Sequence, residues 1–165
     1  MTAAVLRDAQ AGDFAAVIAL NAGEVRHTSA MDEARLRQLH GYACYHKVVE
    51  IDGVVGAFLL AMREGCGYVN ANFEWFAVRY PSFLYVDRIV VGADHQGLQL
   101  GTLLYRDLFE FARDQGIPVV ACEYNLVPPN EPSRIFHDKF GFQEVGSQWL
   151  EDGAKQVSLQ VGPVV

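Results

Sequence analysis

Between Val91 and Thr102 the chain reads Val-Gly-Ala-Asp-His-Gln-Gly-Leu-Gln-Leu-Gly-Thr, a glycine-bearing turn joining an apolar run, Phe83 to Val91, to an amphipathic stretch, Leu98 to Gln115. A helix starting there presents unpaired backbone N–H groups and about half a positive charge, and Gly97 and Gly101 let a phosphate approach the main chain. Holding an anion is the chemistry such a turn does. Three titratable side chains could add proton transfer. Glu123, in Cys122-Glu123-Tyr124-Asn125, stands near the carboxyl end of an otherwise apolar strand, where a carboxylate is costly unless it is used or paired, with Arg88 or another cation. Asp87 is the rival base: it orients a substrate ammonium, relays a proton through water, or meets an arginine from a neighbouring element. Strand alternation sets Tyr85, Asp87, Ile89 and Val91 on one face and Val86, Arg88 and Val90 on the other, so a regular strand keeps Asp87 and Arg88 apart, whereas a bulge would alter the facing. His137, with an ordinary titration at about 6.5, is matched to giving or taking a proton at neutral pH, the alternative being a cap or surface histidine.

The elements that must position these groups follow from periodicity. A strand at Val5–Asp8 leads through Gly12-Asp13 to a helix with Phe14, Val17 and Ile18 at helical spacing, ending at Asn21. A second helix, Asp32 to Ala43, turns Leu36 and Leu39 inward. Tyr45–Ile51 and Val54–Met62 flank Asp52-Gly53, a strong hairpin signal. The run Phe83–Val91, the helix from Leu98 and the run Val119–Asn125 form a βαβ unit with parallel strands and a right-handed crossover. In it Leu100, Leu103, Leu104, Leu108, Phe111 and Ala112 make the apolar stripe. The anion-holding turn then lies at the carboxyl ends of the strands, where ligands of α/β sheets sit. A short helix, Ser133 to Lys139, follows Asn130 and Pro132 and precedes Gly141. Phe142–Leu150 and Lys155–Val161 close the chain as a hairpin through Asp152-Gly153. The aromatic segment Asn70 to Tyr80 either lines a pocket or packs in a core or dimer contact.

Composition narrows the classes. The 165 residues, 51% of them hydrophobic, suffice for one domain with a well-filled core. Thirteen basic against 20 acidic residues leave a net charge of −7, without the basic stripe a nucleic-acid partner requires. The opening Met1-Thr2-Ala3-Ala4-Val5-Leu6-Arg7-Asp8 has no basic lead and apolar stretch, and no apolar run approaches the roughly 20 residues of a membrane span, so a soluble, cytoplasmic protein is expected. Cys44, Cys66 and Cys122 lack metal-ligand spacing and read as reduced structural thiols. No metal site is expected.

The string Gln96-Gly97-Leu98-Gln99-Leu100-Gly101 resembles the acyl-CoA signature of the GNAT N-acetyltransferase superfamily: Gln or Arg, two residues, Gly, one residue, then Gly or Ala at a helix start. Leu6-Arg7-Asp8-Ala9 with Asp13-Phe14 is similar to the family's opening strand and helix. Asn130-Glu131-Pro132-Ser133 with Phe136-His137-Asp138-Lys139-Phe140-Gly141-Phe142 is similar to its later motif. The resemblance implies one α/β (by some schemes α+β) GNAT-like domain over residues 1–165. It would have a mixed, mostly antiparallel sheet of about seven strands with a central parallel pair, flanked by about four helices. It also implies an N-acetyltransferase that moves an acetyl group from acetyl-CoA to a primary amine of a small molecule or peptide, by direct attack within a ternary complex. CoA would lie on Gln96, Gly97, Leu98, Gln99, Leu100, Gly101 and Thr102 and on Asn130, Ser133 and Phe136. Backbone N–H groups at Ile89, Val90 and Val91, where the strand splays from its neighbour near Glu123, would face the thioester carbonyl. Glu123 matches the general base of the superfamily's ribosomal-protein acetyltransferases, and His137 falls where many members place a tyrosine acid. Trp75, Phe76 and Tyr85 are the expected acceptor contacts, and the family leaves a homodimer open. The first glycine of the pattern falls on Gln99, which is accommodated if its φ is helical and its side chain faces solvent. That departure leans toward the alternative of a catalytically silent acyl-CoA-binding sensor or assembly module, whereas Glu123 and His137 favour turnover.

Overall fold

A computed structural model describes residues 3–25 and 28–165; Met1 and Thr2, quoted above, lie outside the described residues. The strands are β1 (Ala4–Asp8), β2 (Tyr45–Ile51), β3 (Val54–Arg63), β4 (Leu84–Val91), β5 (Val119–Val127), β6 (Gln143–Leu150) and β7 (Lys155–Pro163). The helices are α1 (Phe14–Ala22), α2 (Glu33–Tyr42), α3 (Ala71–Ala77), α4 (Leu100–Asp114) and α5 (Glu131–Lys139). The strands form one sheet in the order β1-β2-β3-β4-β5-β7-β6, antiparallel throughout except for the parallel pair β4–β5. The fold is therefore the mixed sheet expected, with one helix more than the sequence pattern gave. The addition, α3, lies inside the aromatic segment: seven residues are too few for periodicity to register, although Asn70 caps it by accepting from the N–H groups of Asn72 and Phe73 at 3.0 and 3.1 Å.

Both faces of the sheet are covered. Along β3, Phe58, Leu60 and Met62 enter one core with Phe14, Leu36 and Phe76, whereas Ala57, Leu59 and Ala61 enter a second with Leu104, Leu108 and Phe142. Period-two alternation buried on both sides explains why β3 reads as a continuous apolar run. Each fully buried leucine or phenylalanine contributes about 1.5–3 kcal/mol relative to exposure. The β2–β3 turn has positive φ at both Asp52 (52°) and Gly53 (80°), the twist a two-residue hairpin needs.

Two local irregularities place the site. The parallel pairing of β4 with β5 covers only Leu84 with Val120 and Tyr85 with Ala121, after which the strands diverge toward their carboxyl ends. On the other side of β4 the register against β3 slips, Leu60 facing Arg88 and Ala61 facing Val86, so Asp87 is the extra residue of a β-bulge. The bulge exchanges faces. Leu84 and Val86 belong to one core and Tyr85 to the other, yet beyond the bulge Val90 joins Tyr85, and Ile89 and Val91 pack with Leu84 and Val86. The regular alternation expected for β4 is thereby corrected: Asp87 and Arg88 share a face, and Arg88 Nε donates to Asp87 Oδ2 at 2.7 Å.

Candidate functional site

Two clefts open at the divergence of β4 and β5 and share Glu24, Ile89, Val90, Asn130, Ser133 and His137 as a common wall. The first, of about 480 Å³, runs from Ile89–Val91 along the turn to the N-terminus of α4 and the flank of α5. Of the residues the sequence assigned to a cofactor, Gln96, Gly97, Gln99, Leu100, Gly101, Thr102, Asn130, Ser133 and Phe136 line it together with Ile89, Val90 and Val91; Leu98 is 47% exposed and lies outside the lining. The turn is held by Gln96, whose Nε2 donates to the Val91 carbonyl at 2.8 Å. The helix starts at Leu100, not Leu98, because Gly97 (φ 81°) and Gln99 (φ 62°) both take left-handed backbone. A helical φ at Gln99 is thus corrected: the slot the family pattern gives to glycine needs a positive φ, and an L side chain there costs about 1–2 kcal/mol.

The cleft fits a phosphorylated ligand. The first helical main-chain bond of α4 is Leu103 N–H to Gln99 carbonyl, so the N–H groups of Leu100, Gly101 and Thr102 precede the ladder, and no acidic side chain stands in that first turn. Gly101 faces α5, and a Cβ there would lie 3.4 Å from the Phe136 ring, in ordinary van der Waals contact.

The second cavity, of about 290 Å³, is lined on the sheet by Asp87, Arg88, Glu123 and Tyr124, across from them by Glu24, Thr28 and Ser29, and at the β6–β7 turn by Leu150, Glu151 and Lys155. Glu123 is partly buried and both its carboxylate oxygens accept from the Tyr85 hydroxyl, at 2.8 and 2.9 Å. Burial pushes its titration from 4.5 up to about 7; the Tyr85 hydrogen bond opposes this, the Asp87 carboxylate adds to it, and Asn72 and Lys155 oppose it more weakly. The pairing with Arg88 weighed for Glu123 is not made, because Arg88 is taken up by Asp87, Asn21 and Ser29.

His137 is 4% exposed and belongs to neither cap nor surface. Its Nδ1 lies 2.7 Å from the Ser133 carbonyl oxygen, which only accepts, so Nδ1 carries the hydrogen and Nε2 accepts from the Tyr105 hydroxyl at 2.6 Å. Burial pushes its titration below the ordinary value, against the Ser133 bond and Asp138. The ring is a neutral imidazole at the junction of the clefts.

The aromatic acceptor contacts expected from the sequence lie elsewhere. Phe76 and Tyr85 are fully buried in the core, and Trp75 packs on β6, where a Cβ at Gly146 would run into the indole. None of the three lines either cleft; large aromatic area was satisfied by core packing, and Tyr85 reaches the site only through Glu123. Residues the sequence did not single out are Tyr105, Tyr68, Lys155 and His95. Tyr105 carried a signal, a hydroxyl within the Leu104–Leu108 stripe that needs a buried partner. Among the described residues no cluster of three or more His, Cys, Asp or Glu could hold a metal, no helix is long and apolar enough to cross a membrane, and all three cysteines are free.

Comparison with known proteins adds the relatives. A sequence model described as the acetyltransferase (GNAT) family matches residues 18–142. No curated protein matches in sequence. Among solved structures the chain is similar to the ribosomal-protein-S18-alanine N-acetyltransferase from Escherichia coli (TM-score 0.74, 16% identity, covering 98% of this chain and 94% of that one). It is also similar to Ard1 from Thermoplasma volcanium (0.81, 16%, 99% of each chain). A third is Arabidopsis thaliana Naa50 in complex with the bisubstrate analogue CoA-Ac-MVNAL (0.71, 13%, 96% of this chain and 97% of that one). At these identities the likeness is one of fold.

Proposed function

The chain belongs to the GNAT acetyltransferase family, and from that premise we propose that it is an N-acetyltransferase whose residues 1–165 act as one domain, taking acetyl-CoA in the first cleft and a primary amine of a small molecule or peptide in the second. The observation that carries this reading is Glu123, which lines the second cavity beside the wall shared with the first, held by the Tyr85 hydroxyl, with its titration pushed up to about 7 by burial. A base with that value is half ionised at neutral pH, so its carboxylate is available to accept the proton that the acceptor amine gives up on the way to attack. Acetyl-CoA supplies the acyl group as an activated thioester. Main-chain N–H groups from Gln96 to Thr102 would hold its phosphates, and Asn130, Ser133 and Phe136 would flank its arm. Main-chain N–H groups at Ile89–Val91, released from β5 by the divergence, would face the carbonyl oxygen as charge develops there. Asp87 is tied to Arg88 and Tyr68 and is the poorer base. The acid role would fall to His137 on the shared wall, oriented by Ser133, once its Nε2 has taken up a proton; Tyr105, which lines only the second cavity, is its hydrogen-bond partner. Direct transfer in a ternary complex suits two clefts that share one wall. Reduced thiols are consistent with a cytoplasmic setting.

Thiol release from acetyl-CoA over a panel of amino acids, polyamines, amine-bearing antibiotics and peptides with free amino ends tests the reading. At least one amine raises release above the amine-free rate, Glu123→Gln lowers that gain about 10²–10⁴-fold, and His137→Phe slows it at saturating substrate. Tight CoA binding with no release from any amine makes the chain a silent binding module instead.

A further inference from the structure

The bulge in β4 creates a buried constellation that acid–base catalysis by Glu123 does not require. Arg88 and Asp87 side chains are 3% and 4% exposed. The guanidinium spends its fork on four acceptors: Asp87 Oδ2 at 2.7 Å, Asn21 Oδ1 at 3.1 Å, the Ser29 carbonyl at 3.0 Å and Ser29 Oγ at 3.2 Å. Asn21 Nδ2 donates to the same Ser29 carbonyl at 3.0 Å, and the Tyr68 hydroxyl donates to Asp87 Oδ1 at 2.6 Å. The carboxylate on one residue of β4 and the cation on the next thus tie the end of α1, the chain ahead of α2 and the residue Tyr68 ahead of α3 to one point of the sheet. Ser29, Tyr68, Asp87 and Arg88 all line the cavity that also holds Glu123.

Stability alone explains this poorly. A buried ion pair returns little over apolar residues of like volume, because desolvation consumes most of the attraction. A planar fork aimed at the Asn21 side chain on the end of α1 and at the carbonyl and hydroxyl of Ser29 in the segment ahead of α2 fixes geometry instead. Ser29 is itself exposed, so the fork and Asn21, rather than surrounding packing, keep it against the sheet.

We propose that Asp87 and Arg88 are a positioning pair for the acceptor: Arg88 holds the wall at Asn21 and Ser29 at a fixed distance from β4, and Asp87, steadied by Tyr68, keeps a fixed negative charge beside Glu123. The proposal rests on the second cavity being the acceptor site. The groups that bear on Glu123 are Tyr85 and Asp87 from β4, Asn72 from α3, Lys155 from β7, the adjacent Cys122 and, through the field, Tyr105 from α4, while Glu24, Arg88, Tyr124, His137 and Glu151 line the same cavity. Among the groups that shift the titration of Glu123, Asp87 is the one carboxylate. Removing it lowers the titration of Glu123, because a like charge that disfavoured ionisation is gone.

The test uses Arg88→Lys, which keeps a cation for Asp87 but loses the fork, and the double variant Asp87→Asn, Arg88→Met, which removes both charges and stays foldable where either single deletion leaves a buried ion unpaired. In both, KM for the acceptor rises about tenfold or more, the size of one charge-assisted hydrogen bond, while KM for acetyl-CoA is unchanged. In the double variant the acid limb of the kcat/KM profile also moves to lower pH. Amide hydrogen exchange at Thr28, whose N–H donates to the Glu24 carbonyl at 3.0 Å, quickens in both while that of β3 does not. A folded double variant with the parental acceptor KM, parental limb and parental exchange overturns the proposal. If the parent protein transfers no acetyl group the transferase reading fails, and exchange alone decides the positioning claim: unchanged exchange in both variants overturns it.

Discussion

Glu123 joins a stability cost to a chemical use. Its carboxyl group is protonated more readily in the folded chain, with a titration at about 7 against an ordinary 4.5, chiefly because burial disfavours the charge. A group raised in this way favours the folded state below its unfolded value and loses that contribution as pH climbs through the folded one. Replacing it with glutamine, which keeps an acceptor for the Tyr85 hydroxyl, leaves stability at pH 5 near that of the parent and raises the melting temperature at pH 8. A thermal melt at the two pH values reads the difference, and a variant destabilised equally at both would mean that the carboxylate is not the strained group. This residue was legible in sequence, since a lone carboxylate in an apolar strand demands a reason. Trp75, Phe76 and Tyr85 were less so: an aromatic side chain serves a core and a binding wall equally well, and only packing against Gly146, Phe73 and Phe83 separates them.

The turn ahead of α4 and the bulge in β4 carry the element-scale lesson. The turn's position and its two flanking elements followed from glycine spacing and from the apolar stripe of Leu100, Leu104 and Leu108. What spacing did not supply was the sign of φ at Gln99, which depends on how the turn meets the helix. With φ at 62°, Gln99→Gly removes about 1–2 kcal/mol of left-handed strain, and part of that gain is offset by about 0.5–1 kcal/mol of extra freedom in the unfolded chain. The expected result is a small rise in stability with CoA binding unchanged or tighter by calorimetric titration. A large loss of affinity would show that the Gln99 side chain, whose Oε1 accepts from Thr102 Oγ1 at 3.3 Å, contributes a contact of its own. The bulge was illegible for a different reason: it is a property of the register between β3 and β4, so no reading of β4 by itself could bring Asp87 and Arg88 to one face. Likewise α3 has a capping Asn70 but too few residues for a period to emerge.

At the scale of the molecule, one departure from regularity organises the rest. Parallel pairing that stops at Tyr85 and Ala121 opens the sheet, α4 and α5 close one side of the gap, and the segments around α1 and the β6–β7 turn close the other. The alternating order of strands and helices made that architecture readable, while the splay of β4 from β5 was implied only by the family resemblance and its start, after Tyr85 and Ala121, came with the structure. The account stands on a largely desolvated carboxyl group acting as base in the second cavity, beside the wall that the two clefts share. The pH dependence of kcat/KM for acetyl transfer to a competent amine addresses it directly. The prediction is an acid limb at about pH 7, separate from the limb at about 10 set by an alkylamine acceptor, with the lower limb absent and the rate about 10²–10⁴-fold down in Glu123→Gln. A Glu123→Gln enzyme that keeps the parental rate and the limb near 7 would contradict it.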